Sequence, residues 1–191
     1  MSTGNYNKQE IVIDVEEIGR KALRITLPLI FLYIVLFFLF WPENFNWAAF
    51  GDAFPENPLI TVGLILGGIF MHELLHGLTW AIFCKKGFRS IRFGIWLKML
   101  TPYTHCKEPL KKYHYFAGGL MPGLILGIIP AAMAIIQGNL GYLLFGILFS
   151  FAAGGDFAMM WKLRTIKKSS LLLDHPGKLG CYLYEKQHTS L

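Results

Sequence analysis

Four long apolar stretches limit what this chain can fold into more than any other feature of its sequence. They run from Ile25 to Trp41, Leu59 to Phe83, Tyr115 to Ile136 and Leu140 to Trp161. A bilayer core of about 30 Å requires roughly 20 apolar residues as a helix, because backbone groups in lipid must be satisfied within the protein. The 191 residues are 54% hydrophobic and 16% charged, against roughly 25% charged in soluble domains. We therefore predict an all-α integral membrane protein with four transmembrane helices.

The basic residues predict the orientation of these helices. All 18 Lys and Arg residues lie before the first stretch, in the segment from Cys84 to His114, or after the fourth stretch. The other two connections contain no cation. By the positive-inside rule, both termini and the long middle loop are cytoplasmic. Topology and contact with the lipid bilayer account for the net charge of +6, so we expect no nucleic-acid partner.

This topology divides the chain into three parts. Residues 1–24 form a cytoplasmic N-terminal segment, 25–161 the four-helix membrane domain, and 162–191 a cytoplasmic basic tail. The alternating segment Arg89 to Leu97 predicts a short strand or hairpin at the cytoplasmic membrane surface. No small-residue cleavage pattern follows the first apolar stretch, so we expect it to be retained. The sequence indicates no oligomeric state.

Small residues and cysteines carry two further expectations. Glycines at four-residue spacing predict close helix packing in the second and third stretches. They are Gly63 and Gly67, then Gly119, Gly123 and Gly127.

The three cysteines, Cys84, Cys106 and Cys181, are odd in number and lack a Cys-x-x-Cys spacing. We therefore predict free thiols in the cytoplasmic part of the protein.

The second stretch contains the pattern His-Glu-x-x-His at His72, Glu73 and His76. Residues four apart share one face of a helix, so both imidazoles can bind one Zn²⁺ ion while Glu73 serves as the general base. With the 6 His residues of this chain, the pattern is expected by chance roughly 0.01 times. Such polar groups are costly inside a membrane unless they pair or line a wet cavity. The alternative is hydrogen bonding to neighbouring helices.

A catalytic zinc site usually has three protein ligands, and Asp156 is the predicted third. It is the only acidic or basic residue in the third and fourth stretches. Asp156 lies about 8 Å, and His76 about 11 Å, from the cytoplasmic end of its helix at the α-helical rise. Gly154 and Gly155 are expected to let the second helix approach. The alternatives are that Asp156 is an unpaired or Lys-paired carboxylate near the interface, and that His105 is a ligand.

These parts together resemble an intramembrane protease of the site-2 type, and more closely a bacterial family of zincin peptidases without an assigned function. The resembling segments are Ile69 to Phe83, Lys85 to Trp96, Ala117 to Gly123 and Gly154 to Asp156. The resemblance implies a multi-pass enzyme of the bacterial plasma membrane that uses zinc to hydrolyse peptide bonds of a membrane-embedded or membrane-adjacent protein or peptide substrate.

The resemblance also implies a role for each residue of the motif. His72, His76 and Asp156 would bind zinc, and Glu73 would act as the general base. Asp156 follows two glycines here, whereas site-2 proteases have a Leu-Asp-Gly context. No PDZ-like domain fits between the third and fourth stretches, which only Gln137 to Asn139 separate.

Two other functions are compatible with the same motif. A non-catalytic metal-binding membrane protein, or a pseudoprotease that binds partner helices, would need the ion but not Glu73. A transporter would be expected to have polar residues along several helices. The first stretch contains only Thr26 and Tyr33 as polar residues, which favours the enzyme.

Overall fold

The computed structural model of the chain describes residues 6–96 and 101–186. The helices are α1 (Val15–Phe40), α2 (Trp47–Asp52), α3 (Pro58–Phe83), α4 (Lys112–Pro122), α5 (Ile129–Gln137), α6 (Leu140–Ala152) and α7 (Gly154–Leu163). The strands are β1 (Tyr6–Val12), β2 (Ile91–Trp96), β3 (Thr101–Cys106), β4 (Leu110–Lys111), β5 (Leu171–Asp174) and β6 (Gly180–Lys186). The described chain is therefore mostly helical, as predicted, but it also contains two antiparallel sheets.

Among residues 6–96 and 101–186, three helices are long and apolar enough to cross a membrane. They are α1, α3 and the continuous helical segment Lys112–Gln137, which match the first three predicted stretches. Helix α1 begins at Val15, earlier than predicted, because the Asp14 carboxylate accepts hydrogen bonds from the N–H groups of Glu16 and Glu17.

The fourth predicted stretch is a bent pair of helices. Helices α6 and α7 meet at an angle of 47° around Ala153, and they make a fourth candidate span only if both belong to one crossing. The glycines at the start of α7 do not approach α3 as predicted. A Cβ on Gly154 would lie 3.1 Å from Ala22 and Thr26 of α1, whereas a Cβ on Gly155 would meet nothing within 4 Å in the described part of the chain. Gly154 therefore lets α7 pack closely against α1.

The third span contains the close contacts predicted from its glycines. A Cβ on Gly127 would lie 2.5 Å from the Ser150 hydroxyl, and one on Gly123 would clash with Phe157. Residues Gly123–Ile128 form a π-helical segment directly after Pro122, whose ring disturbs the regular hydrogen bonding. The same prediction is wrong for the second candidate span, because a Cβ on Gly63 or Gly67 would meet no described residue within 4 Å.

The prediction of an all-α protein needs correction. Strands β1, β6, β5 and β4 form one four-stranded sheet in that order. Tyr6 pairs with Lys186, and Leu172 lies between Leu183 and Leu110. The N-terminal segment and the tail are thus joined, and their inward side chains pack in a buried cluster with residues from the ends of α3, α4 and α7. The paired strands β1 and β6 lie near opposite ends of the sequence, so no pattern within a short segment predicts that they pair.

A hairpin is present where the sequence predicted one in the described residues. Strands β2 and β3 pair from Ile91 with Cys106 to Trp96 with Thr101. The last predicted strand residue, Leu97, and the nearby Lys98 lie outside the described residues. The hairpin lies against α3, where a Cβ on Gly77 would be 2.5 Å from the Phe93 ring. This places β3 beside the His-Glu-x-x-His turn.

Candidate metal centre

The His-Glu-x-x-His turn of α3 brings three possible metal ligands together. Ligand atoms of His72, Glu73 and His76 all lie within 4.8 Å of one another. Both histidines are buried. Their four-residue spacing puts the two imidazoles on one face of α3, with ring centroids 5.0 Å apart. The local geometry follows directly from the helix.

Neighbouring helices orient His76. Its Nδ1 lies 2.8 Å from the Gly118 carbonyl oxygen on α4, which can only accept a hydrogen bond. His76 therefore donates from Nδ1, and in its neutral form Nε2 carries a lone pair. The ring also stacks on Trp80, with centroids 5.3 Å apart, and Trp80 donates a hydrogen bond to the Tyr115 carbonyl. The hydrogen bond from Nδ1 of His76 to the Gly118 carbonyl is typical of a metal-binding histidine.

One oxygen of the Asp156 carboxylate lies near both imidazoles. Its Oδ2 is 3.2 Å from Nε2 of His72 and 3.5 Å from Nε2 of His76. The lone pair of neutral His76 thus faces a carboxylate, an arrangement that a cation between the two groups stabilises. Helix α7 therefore contributes the residue predicted from the depth of Asp156, although the glycines beside it pack elsewhere.

The residues fit a zinc ion. Tetrahedral zinc with bonds of about 2.0 to 2.2 Å keeps neighbouring ligand atoms about 3.3 to 3.5 Å apart. The separations of 3.2 and 3.5 Å from Asp156 to the two histidines agree with that spacing. Two imidazole nitrogens and a carboxylate oxygen are also a ligand set used by catalytic zinc sites, which keep the fourth position open.

The orientation of His72 depends on Asp156. Nδ1 of His72 is buried and has no hydrogen-bond partner among residues 6–96 and 101–186. Its Nε2 contacts only the Asp156 carboxylate among the hydrogen bonds of the described chain. His72 therefore lacks the backbone acceptor that orients His76, and its ring position is coupled to α7.

Thr104 of strand β3 positions Glu73. Its hydroxyl lies 2.7 Å from Oε2 of the Glu73 carboxylate and 2.8 Å from the Glu73 carbonyl oxygen, so its single proton is offered to these two acceptors. The carboxylate is thereby oriented by a residue from the hairpin. Sequence analysis missed Thr104, because its role depends on how β3 lies against α3. The alternating pattern that predicted the hairpin was the only available signal.

Behind the hairpin, Asp174 connects three elements of the fold. Its carboxylate accepts hydrogen bonds from the Cys106 backbone N–H at 2.7 Å and from the Tyr115 hydroxyl at 2.6 Å. Burial raises the pKa of the Asp174 carboxyl, although these two hydrogen bonds oppose the increase. His105, the alternative ligand, has its Nδ1 4.0 Å from the same carboxylate. The structure thus pairs His105 with Asp174 in the wall beside the centre.

A cavity of about 560 Å³ opens beside these residues. Its walls come from α3, from α7, from the β2–β3 hairpin and from the loop between β5 and β6. His72, Glu73, His76 and Asp156 all line it, as do Thr104 and His105. A cavity of this size is in the range of small-molecule and peptide-binding clefts, and it gives the centre access from outside.

The three cysteines are free and buried in the core next to the hairpin. Sγ of Cys84 and Sγ of Cys106 are 3.4 Å apart. Burial raises the pKa of both thiols, and it raises the pKa of Cys181 to about 12. They are therefore protonated at neutral pH and contribute to packing, consistent with the predicted free thiols.

The site therefore combines two converging imidazoles and a glutamate on α3 with a carboxylate from a second helix, and its His-Glu-His group could hold a metal ion. A family model described as "Putative zincin peptidase" matches residues 65–171, which include both histidines, Glu73, Thr104 and Asp156. The chain belongs to this family. No curated protein and no solved structure matches the chain.

Proposed function

We propose that this protein is an intramembrane zinc metalloprotease of the site-2 type, which hydrolyses peptide bonds of membrane-embedded or membrane-adjacent substrates. The observation that carries the proposal is the position of Asp156 Oδ2, 3.2 and 3.5 Å from the two imidazole nitrogens beside Glu73. Family membership supports the peptidase class. Three helices long and apolar enough to cross a membrane support the location.

In this proposal, His72, His76 and Asp156 hold zinc and Glu73 moves the proton. When bound, zinc lowers the pKa of a coordinated water and polarises the peptide carbonyl. Thr104 donates a hydrogen bond to Oε2 of Glu73. The other oxygen, Oε1, therefore takes the proton of the attacking water and later returns it to the leaving amine. The Gly118 carbonyl keeps the donor hydrogen of His76 on Nδ1 throughout.

The cavity suggests how a substrate reaches the centre. The β2–β3 hairpin forms a separate two-stranded sheet in the described chain and borders the cavity. A locally unwound substrate segment can pair with the edge of such a hairpin through backbone hydrogen bonds. The substrate backbone would then pass Glu73, because Thr104 of the same hairpin contacts that residue.

A test of the function combines metal analysis with cleavage. We expect the purified protein in nanodiscs to contain about one zinc ion per chain. It should cleave at least one member of a panel of single-span substrates, and a chelator should stop cleavage until zinc is restored. A protein that retains zinc but cleaves none of the panel would favour the non-catalytic metal-binding alternative.

Asp156 is proposed as the third zinc ligand. Replacing it with Asn should weaken zinc binding by about 100-fold or more and abolish cleavage, because a neutral amide is a poor zinc ligand. His105→Ala is the matched control, since His105 lines the same cavity but contacts Asp174. We expect its zinc affinity to stay near wild type, as measured by competition with a chromogenic chelator. Equal losses in both variants would contradict the assignment.

The proposed topology places both termini in the cytoplasm of a bacterial cell. Four segments join the helices to the sheets at one end of the bundle: β1 before α1, β2 after α3, β4 before α4 and β5 after α7. Single cysteines replacing Lys111 or Lys167 should be labelled only after the cells are opened, whereas one at Asp52 should be labelled from outside. Labelling of the Lys111→Cys variant in intact cells would reverse the orientation.

A further inference from the structure

A second cavity of about 780 Å³ lies apart from the metal centre. It is bounded by the end of α3, the start of α4 and the β4–β5–β6 part of the four-stranded sheet. Phe83 and His114 stack at its edge, with ring centroids 3.9 Å apart. None of the described residues lines both cavities. On the proposed orientation, it opens at the cytoplasmic ends of the second and third spans.

The rim of this cavity is strongly basic. Five cationic side chains line it: Lys85, Lys86, Arg89, Lys107 and Lys111. All five residues are exposed, and none forms an ion pair with an acidic residue in the described part of the chain. Positive charges gathered around one concave surface attract an anion more strongly than scattered ones do.

Among the described residues, one carboxylate lines the cavity, and it is already hydrogen-bonded. Glu108 accepts hydrogen bonds from the backbone N–H groups of Lys85 at 2.9 Å and Lys86 at 3.1 Å, and from the Ser90 hydroxyl. The Ser90 hydrogen bond contributes most to lowering the pKa of Glu108, so the group stays ionised at neutral pH. Glu108 therefore holds the turn after α3 in place through backbone N–H groups and a hydroxyl, and no lysine ammonium group is among its hydrogen-bond donors in the described residues.

The interior of the cavity is apolar, unlike its rim. Leu110, Leu171, Leu173 and Phe83 line it together with the ring of Tyr184. A cavity with an apolar interior and a cationic rim is complementary to an amphiphile with an anionic head. At the cytoplasmic surface of a bilayer, the amphiphile in reach is an anionic phospholipid.

We propose that this cavity binds the phosphate headgroup of one anionic phospholipid, with the lipid's apolar part against the leucine-lined interior. This inference depends on the proposed membrane orientation but not on the metal centre, because the two cavities share none of the residues that the structure describes. The shared chemistry is recognition of a phosphate by Lys and Arg side chains. A soluble phosphate compound would use the same cations but would gain nothing from the apolar interior.

The test is lipid retention measured by native mass spectrometry of the full chain in mixed micelles. Wild type should retain one phosphatidylglycerol per chain in preference to phosphatidylcholine. The double variant Arg89→Gln/Lys107→Gln should lose about 25-fold in apparent affinity, because each cation near a membrane surface contributes roughly a fivefold factor. The matched control is Lys167→Gln/Lys168→Gln, two exposed cations in the turn between α7 and β5 that do not line the cavity. We expect it to change retention less than twofold.

A third variant tests the shape of the site without changing its charge. Leu171→Trp should fill the interior and reduce retention while the thermal melting temperature stays near wild type. Equal losses in the two double variants, or equal retention of the two lipids, would overturn the proposal in favour of general surface attraction. Displacement of the lipid by equal concentrations of inorganic phosphate or glycerol 3-phosphate would also overturn it, in favour of a soluble ligand.

Discussion

Replacing His72 or His76 with alanine should reduce zinc affinity by more than about 100-fold. Removing only a residue that is hydrogen-bonded to a metal ligand already reduces the affinity by up to about 100-fold. Each imidazole is buried, and each has Nε2 within 3.5 Å of the same Asp156 oxygen. Alanine would leave a pair of ligands that cannot complete a tetrahedral site. Metal analysis after dialysis against a weak chelator would measure the loss.

His114→Ala is the control for both substitutions. His114 stacks on Phe83 at the second cavity, away from the metal centre, so this variant should keep about one ion per chain. Full zinc occupancy in the His72 or His76 variant would remove the basis for the metal centre. Loss of zinc in all three variants would indicate that the substitutions unfold the protein.

Glu73→Gln should keep zinc and lower the rate of cleavage by about 10² to 10⁴, the range for removing a general base. The amide can still accept the Thr104 hydrogen bond through its oxygen, so the local structure is preserved. It cannot take a proton from water. The measurement is cleavage of a substrate from the panel, normalised to bound zinc.

Thr104→Val separates the role of the base from the role of its position. Valine has nearly the same shape but donates no hydrogen bond, so Glu73 keeps its carboxylate and loses the contact that orients it. We expect the rate of cleavage to fall roughly tenfold, which corresponds to losing one hydrogen bond to a charged group.

For the preceding prediction, a Glu73→Gln variant that cleaves as fast as wild type would show that another group acts as the base.

The residues predicted with most detail are those whose relation is local. His72, Glu73 and His76 lie on one turn, and the 3.6-residue repeat brings them together whatever surrounds α3. Asp156 was predicted because it and His76 lie at similar distances from the cytoplasmic ends of their predicted helices. The structure places its carboxylate beside both histidines, and its role as a zinc ligand stays a prediction.

The supporting residues could not be predicted in this way. Thr104 and the Gly118 carbonyl contact the motif from β3 and α4, and nothing in their own neighbourhood in the sequence marks them. Gly154 was expected to face α3 and instead packs on α1, at the start of a helix that meets α6 at an angle of 47°. A bend of that kind depends on packing between helices.

The sequence by itself determined the apolar spans and the motif on α3, because helical periodicity and hydropathy act over a single segment. Only the tertiary structure decided that strands β1 and β6 would join the two ends of the chain in one sheet. It also decided that β3 would orient Glu73 and that five cations would gather around a second cavity. These features depend on contacts between distant segments, which form when the fold buries apolar surface and satisfies backbone hydrogen bonds across the whole chain.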